Sequence, residues 1–214
     1  MKKIQALVVS AFLSLTCTLL HAQSFDGGLV AGAVVSQING DGYSGFHQLG
    51  CTAGFFGRIP SDGPSSWQIE LKYTLLGAHS DAKEVEIGMS PMSVRLHYVE
   101  LPVLFRYDLS RLHINGKSLN FITLEVGLSG DFLIRGTQSA DFEEQFDNAS
   151  WRFFSLTGDL GVQFDFNAHW GVNIRGMASI TPCRRRLEAP VWSWQHYYNV
   201  ALQAALIYTF VHSR

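Results

Sequence analysis

Residues 67–75 read Trp-Gln-Ile-Glu-Leu-Lys-Tyr-Thr-Leu and alternate apolar with polar side chains at every position. Successive side chains of a β-strand point to opposite faces, so this period of two predicts a strand with one apolar and one polar face. The polar face carries Glu70 and Lys72, whose charges are costly to bury without partners. The fold therefore depends on which face points into the protein and which points outward.

The same alternation recurs along the chain, and Gly, Asn, Asp, Ser and Pro signals separate the segments. We predict an all-β protein with eight strands, at 28–38, 46–59, 67–78, 93–107, 119–135, 152–166, 170–181 and 194–210.

Composition excludes several classes of protein. The chain has 214 residues, 47% hydrophobic and only 16% charged, which argues against disorder and fits one domain. With 16 basic and 18 acidic residues it lacks the basic excess of a nucleic-acid binder, so no nucleic-acid partner is expected.

The first residues have the pattern of a secretory signal peptide. Lys2 and Lys3 precede an apolar stretch at 4–20, and Ala22 offers the small residue that signal peptidase needs. We expect residues 1–23 to be removed, leaving a barrel domain at 24–214. The alternatives are an N-terminal membrane anchor and a lipoprotein acylated at Cys17.

Two architectures fit the strands. A soluble sandwich or lipocalin-like carrier would bury the apolar faces, whereas a transmembrane barrel turns them to lipid and keeps polar residues in the lumen. Several strands exceed the roughly 9–11 residues that cross a bilayer, and an even number of strands permits closure. The connections also alternate between short ones at 60–66, 108–118 and 167–169 and longer ones at 80–92, 136–151 and 182–193, with the 39–45 turn as the exception. We predict an eight-stranded antiparallel up-and-down transmembrane β-barrel.

Aromatic residues at the strand ends support this choice, because barrels carry aromatic girdles at both membrane interfaces. Trp67 and Trp170 mark the short-turn end, and Trp151, Trp192 and Trp194 mark the long-loop end. Scattered core aromatics are the alternative.

The inward faces carry charges of both signs. In a barrel just wide enough to be filled by its own side chains, such charges are expected to pair. We predict a lumen ion-pair network of Arg58, Glu70, Lys72, Glu100, Arg106, Glu125, Asp131, Asp159, Asp165 and Arg175. A proton or solute path and acid–base carboxylates are the alternatives.

Two motifs carry a family resemblance. The first is Gly28-x3-Gly32-x3-Ser36-Gln37-x2-Gly40-Asp41-x3-Gly45-Phe46-x3-Gly50-x3-Gly54, and the second is 98–104, Tyr-Val-Glu-Leu-Pro-Val-Leu. Together they resemble the PorT-like outer-membrane β-barrel family of Bacteroidota, some of whose members belong to the type IX secretion apparatus. The resemblance implies an outer-membrane barrel, and it supports a β-bulge at Pro102, where a ladder donor is missing. Alternating Leu206, Tyr208 and Phe210 resemble the assembly signal of such barrels, although the chain continues to Arg214.

No motif for catalysis or metal binding is found, so we predict no enzyme activity, no cofactor and no metal. His97 and His196 lie near the predicted outer rim together with Ser93 and Ser193, which leaves a lipid-modifying rim enzyme as a minor alternative. A disulfide between Cys51 and Cys183 would require the last loop to fold back.

Arginines gather at the long-loop end, at positions 95, 135, 152 and 184–186. Guanidinium groups bind phosphates through paired hydrogen bonds, so we expect contact with lipopolysaccharide through Arg95, Arg152, Arg184, Arg185 and Arg186. The alternative is ordinary rim charge, balanced by Asp141, Glu143, Glu144 and Asp147.

We therefore expect a monomer in the outer membrane, with outer-membrane lipid and lipopolysaccharide as partners and a structural or binding role for its loops. The alternative is an accessory of a secretion or surface-assembly machine, which would add envelope or secretion proteins as partners.

Overall fold

Eight long antiparallel strands dominate the structure. The computed structural model describes residues 25–40, 45–61, 63–80, 91–111, 113–114, 117–119, 121–140, 143–146, 151–184 and 196–210. The strands are β1 (Asp26–Asn39), β2 (Gln48–Pro60), β3 (Ser65–His79), β4 (Met92–Asp108), β5 (Ile122–Ala140), β6 (Phe154–Asp165), β7 (Trp170–Ser179) and β8 (Tyr198–Thr209). The predicted signal peptide lies outside the described residues. No helix in the described ranges is long and apolar enough to cross a membrane.

The strands close into a barrel. Each strand pairs with the next along the chain, and β1 pairs with β8 from Gly28 opposite Thr209 to Asn39 opposite Tyr198. Closure leaves no unpaired strand edge around the wall, which is what lipid requires of a spanning sheet. The predicted all-β, eight-stranded antiparallel up-and-down barrel is confirmed.

Pro102 does not form the predicted bulge. Its register with β5 is continuous, with Leu101 opposite Gly130 and Pro102 opposite Ser129. On the β3 side the pairings of Leu101 and Pro102 are missing, because proline lacks the N–H that would pair there, and the ladder resumes at Glu100 in the same register. The register shift lies higher in the wall, where Ile134 of β5 is inserted opposite His97 and Tyr98.

The outer face of the wall is apolar and exposed. Leu160, Leu49 and Phe55 are 63–70% exposed, although hydrophobic residues of this size normally seek burial. Aromatic pairs mark the short-turn end, with ring centroids 5.3 Å apart for Trp67 and Phe105 and 4.7 Å apart for Trp170 and Tyr208. This face is suited to lipid.

Trp151 was expected in the second aromatic girdle, and this was wrong. Its side chain is buried, and it packs with Leu133 and Met177 inside the barrel. Trp192 and Trp194 lie outside the described residues.

The connections differ from the predicted short–long alternation at one point. The β4–β5 connection is not short, since it holds a 3-10 turn (Leu109–Arg111) and a small hairpin (His113–Ile114 with Lys117–Ser118). At the other end β5 continues to Ala140 and pairs with a further strand, Glu143–Phe146.

The barrel interior has two chemically different parts. The charged layer consists of Gln68, Glu70, Lys72, Glu100, Arg106, Glu125, Asn173, Arg175 and Gln203, all buried. The apolar plug fills the long-loop half with Val34, Ile38, Leu76, Ala78, Val94, Leu96, Tyr98, Leu133, Trp151, Met177, Cys183 and Ala201. The long-loop half of the lumen is therefore more apolar than expected, although Ser36, His196 and Asn199 are also buried there.

Candidate functional site

Arg175 of β7 is the centre of the charged layer. Its Nη1 lies 2.8 Å from Glu70 Oε2 and its Nη2 lies 2.9 Å from Glu70 Oε1, which is the bidentate geometry that guanidinium and carboxylate favour. The same Nη2 donates to Glu125 Oε2 at 3.0 Å. One cation from β7 thus holds two carboxylates, one from β3 and one from β5.

Two further ion pairs extend the layer. Arg106 Nε lies 3.0 Å from Glu125 Oε1, and Lys72 Nζ lies 3.0 Å from Glu100 Oε2. All of these charged side chains are at most 2% exposed. Six of the ten predicted network residues are therefore joined in ion pairs.

Neutral polar side chains complete the layer, and the sequence analysis did not assign them a role. Gln68 donates to Glu70 Oε1 at 2.7 Å and accepts from Arg106 at 2.6 Å. Asn173 donates to Glu125 at 2.7 Å, and Lys72 donates to Gln203 at 2.8 Å. Their positions on the inward face of the alternating strands were the sequence signal that could have identified them.

A glycine makes room for the lysine of the layer. Gly54 of β2 stands opposite Lys72 of β3 in the ladder. A Cβ atom at Gly54 would lie 2.3 Å from the Leu71 carbonyl oxygen and 2.5 Å from the Lys72 Cα. The close approach of the two strands at this point therefore needs glycine.

The other four predicted network residues make no ion pair with the described residues. Asp131 accepts hydrogen bonds from Ser129 and Thr157. Neither carboxylate oxygen of Asp159 has a hydrogen-bond partner among the described residues, although the side chain is buried. The two remaining residues lie at the short-turn end, where Arg58 donates to Gln68 and Asp165 accepts from Gln163.

The predicted arginine cluster at the long-loop end is divided by the structure. Arg95 is exposed on the outer face of β4. Arg184 lies at the mouth of the barrel, with its guanidinium 5.2 Å from the Trp151 ring and 5.7 Å from the Tyr197 ring. Arg152 is half-buried and donates its backbone N–H to the Cys183 carbonyl. Arg185 and Arg186 lie outside the described residues.

Sequence reasoning placed Arg135 at the long-loop end but did not assign it to the outer face beside Arg95. Arg135 is exposed on the outer face of β5, and His97 of β4 stands opposite it in the ladder. The inserted Ile134 causes this placement, because it moves the following residues of β5 onto the other face. A simple period of two across the bulge gives the wrong face.

The two candidate histidines of the rim lie in different surroundings. His97 faces outward, and its Nδ1 shares a hydrogen bond of 2.7 Å with the Tyr73 hydroxyl. His196 is buried, 2% exposed. Within the described residues, the hydrogen-bond partner recorded for His97 is a tyrosine and not a serine.

Cys51 and Cys183 form no disulfide. Cys51 is exposed on the outer face of β2, whereas Cys183 is buried in the apolar plug. Burial raises the pKa of the Cys183 thiol to about 12, and the Sγ donates to the Tyr197 carbonyl at 3.3 Å. Cys183 is therefore an inert part of the plug.

Comparison with known proteins agrees with this geometry. The family described as "Outer membrane protein beta-barrel domain" matches residues 21–184. No curated protein matches the chain. Similar solved structures include Ail, the attachment invasion locus protein of Yersinia pestis, with 13% identity over 86% of this chain and 98% of that one at a TM-score of 0.49.

Neisserial surface protein A is 11% identical over 87% of this chain and 97% of that one, with a TM-score of 0.48. OprG from Pseudomonas aeruginosa is 12% identical over 89% of this chain and 98% of that one, with a TM-score of 0.35. The family match covers most of the chain, and the closed barrel with its lipid-suited wall fits it. The chain therefore belongs to the outer membrane protein β-barrel domain family, and its location is the outer membrane.

Proposed function

We propose that this protein is a closed barrel with a structural or binding role, which it exerts from its long-loop end and outer surface. The observation that carries the proposal is the filled interior. Charged and amide side chains occupy the middle of the barrel, and the apolar plug occupies the long-loop half. An interior filled in this way favours surface functions over solute passage.

Conductance of the purified protein in planar lipid bilayers tests the exclusion of solute passage. The wild-type chain is expected to give no discrete channel openings. A variant with Leu96 and Met177 replaced by glycine removes two side chains of the plug and serves as the comparison. Regular channel openings of the wild-type protein would contradict the proposal.

The binding role is tested at the loops. Replacing residues 141–150, within the predicted loop, by a short Gly-Ser linker should remove binding of a surface partner, because the change leaves β5 and the plug residue Trp151 in place. Heat-dependent gel migration reports whether the barrel still folds. A fully folded loop variant that keeps all partner binding would contradict a role for this loop.

We further propose that the outer rim of β4 and β5 contacts lipopolysaccharide phosphates. On both strands the outer face is apolar up to His97 and Arg135, and beyond this level it presents Arg95, Ser93 and Thr137. The change from apolar to basic supports a position of the two arginines at the level of the lipid headgroups, and guanidinium groups bind phosphate in a bidentate manner.

Reversing both charges with Arg95→Glu and Arg135→Glu is expected to lower the lipopolysaccharide that co-purifies per barrel at least fivefold. Arg95→Lys with Arg135→Lys keeps the charge and should retain part of the binding. Unchanged lipopolysaccharide after charge reversal would leave these arginines as ordinary rim charges.

We also propose that the protein belongs to the PorT-like group of Bacteroidota and has an accessory role in secretion or surface assembly. This proposal rests on the motifs at 28–54 and 98–104. Affinity capture of the full-length protein from its own envelope tests it. Recovery of secretion components would support it, and recovery of lipid and lipopolysaccharide alone would favour the binding role.

We expect no catalysis, and lipid-modifying activity lost in His97→Ala would contradict that expectation.

A further inference from the structure

The short-turn end of the barrel contains a cavity that the proposed function does not use. It has a volume of about 430 Å3, and its wall includes Asp26, Arg58, Arg106, Asp108 and Asp165. We call it the vestibule. Short turns of outer-membrane barrels face the periplasm, so the vestibule is open to periplasmic solutes. Its volume lies within the range of small-molecule sites, roughly 300–1,000 Å3.

One side of the vestibule is cationic and held in place. Arg58 and Arg106 both donate to the same atom, Gln68 Oε1, at distances of 2.6–3.1 Å, so the two guanidinium groups lie side by side. Arg58 also lies over the Phe56 ring, 5.2 Å from its centroid. Arg106 is buried and paired with Glu125 in the charged layer above.

Aspartates from three strand ends form the rest of the charged wall. Asp26 begins β1, Asp108 ends β4 and Asp165 ends β6. Asp108 accepts a hydrogen bond from the Ser110 N–H at 2.7 Å, and Asp165 accepts one from Gln163 at 2.5 Å. These bonds fix both carboxylates while leaving each with further acceptor capacity.

The balance of charge selects the ligand. Because Arg106 is already paired with Glu125, Arg58 is the guanidinium that the vestibule offers to a ligand carboxylate, and Asp108 and Asp165 are the carboxylates that it offers to ammonium groups. A ligand that suits both walls carries a carboxylate and an ammonium group, and the presence of two such aspartates favours a second ammonium. A metal ion suits this wall less well, since no group of three or more His, Cys, Asp or Glu side chains among the described residues is arranged to hold one.

We infer that the vestibule is a periplasm-facing binding site for a small basic amino acid, with its carboxylate at Arg58 and its two ammonium groups at Asp108 and Asp165. This inference is independent of the loop and rim function proposed above, which acts at the opposite end of the barrel. It assigns the protein a second surface, one that senses or holds a periplasmic solute.

The test is calorimetric titration of the full-length protein, in a non-ionic detergent, with L-lysine. Norleucine has no side-chain ammonium and cadaverine has no carboxylate, so each is expected to bind at least tenfold more weakly than L-lysine. Asp108→Asn with Asp165→Asn should weaken L-lysine binding at least tenfold. Glu143→Gln with Glu144→Gln removes the same charge at the other end and should leave binding unchanged.

Arg58→Gln separates the two halves of the site. It should weaken the binding of L-lysine and norleucine and leave cadaverine binding unaffected, and it remains informative where the aspartate variant fails to fold. Equal binding of L-lysine and norleucine, full binding by the folded aspartate variant, or binding of Mg²⁺ alone would overturn the inference.

Discussion

The charged layer and the apolar plug fill one barrel by opposite means. In the charged layer, Arg175 satisfies Glu70 and Glu125 together, so each member depends on the identity of its partners. In the plug, Leu96 and Val94 depend on the shape of what surrounds them. The comparison teaches that a narrow lumen is closed equally well by paired charge or by close packing, and that the two respond differently to mutation.

The largest effect is expected where one charge loses its partner. Glu70→Leu leaves Arg175 buried without its bidentate carboxylate, and breaking a buried pair in this way costs about 3–5 kcal/mol. Urea unfolding of the protein in lipid vesicles measures the loss. Replacing Arg175 by methionine in the same chain should restore part of it, and a double variant as unstable as Glu70→Leu would contradict the pairing argument.

In the plug, truncating a side chain should lower the free energy of unfolding slightly less. This loss does not depend on a partner charge. Leu96→Ala removes fully buried methyl groups and is expected to lower the free energy of unfolding by about 2–4 kcal/mol. Leu101→Ala, on the lipid face of the same strand, is the matched control and should cost clearly less, because that side chain is 40% exposed on the outside of the wall. Equal losses would mean that the plug is not closely packed.

The close approach of β2 and β3 offers a smaller test on the charged side. Gly54→Ala places a methyl group 2.5 Å from the Lys72 Cα and is expected to cost about 1–3 kcal/mol through displaced backbone. Gly176→Ala is the matched control, because the nearest atom to its added Cβ is 3.8 Å away. The same unfolding measurement should separate the two variants.

The smallest effect is expected at Asp159. Its side chain is buried and neither carboxylate oxygen has a hydrogen-bond partner among the described residues, so an amide in its place breaks no recorded bond. Asp159→Asn should therefore change stability by less than about 1 kcal/mol, well below the cost of losing one member of a buried pair. A loss as large as that of Glu70→Leu would place Asp159 within the paired network.

The alternation of residues 67–75 was sufficient to predict a strand and to assign its two faces, since the period of two is a local property of the chain. The same reasoning gave eight strands and their closure. It could not choose which carboxylate meets Arg175, because that depends on the stagger of strands around the closed wall. The alternation assigns a side chain to the inner or outer face but not to a depth along the barrel axis. The apolar plug and the charged layer were therefore not distinguished.

The errors have local causes. Trp151 was placed in a girdle from its position at a strand end, but a side chain near a mouth can turn inward and stack with Arg184. Arg135 was not assigned to the outer face because an inserted residue cannot be recognised from alternation alone. Pro102 keeps its register because the β3 ladder loses only the pairings of Leu101 and Pro102, and the ladder with β5 is continuous through both residues.

The seam between β1 and β8 has a consequence for the order of assembly. It joins Gly28 to Thr209, nearly the whole described length of the chain, while every other pair of wall strands is adjacent in sequence. Closing so long a loop carries the highest entropic cost, so the seam is expected to form last. Until β8 docks, the edges of β1 and β7 are open, and the half-built barrel can recruit a strand from another chain in place of its own.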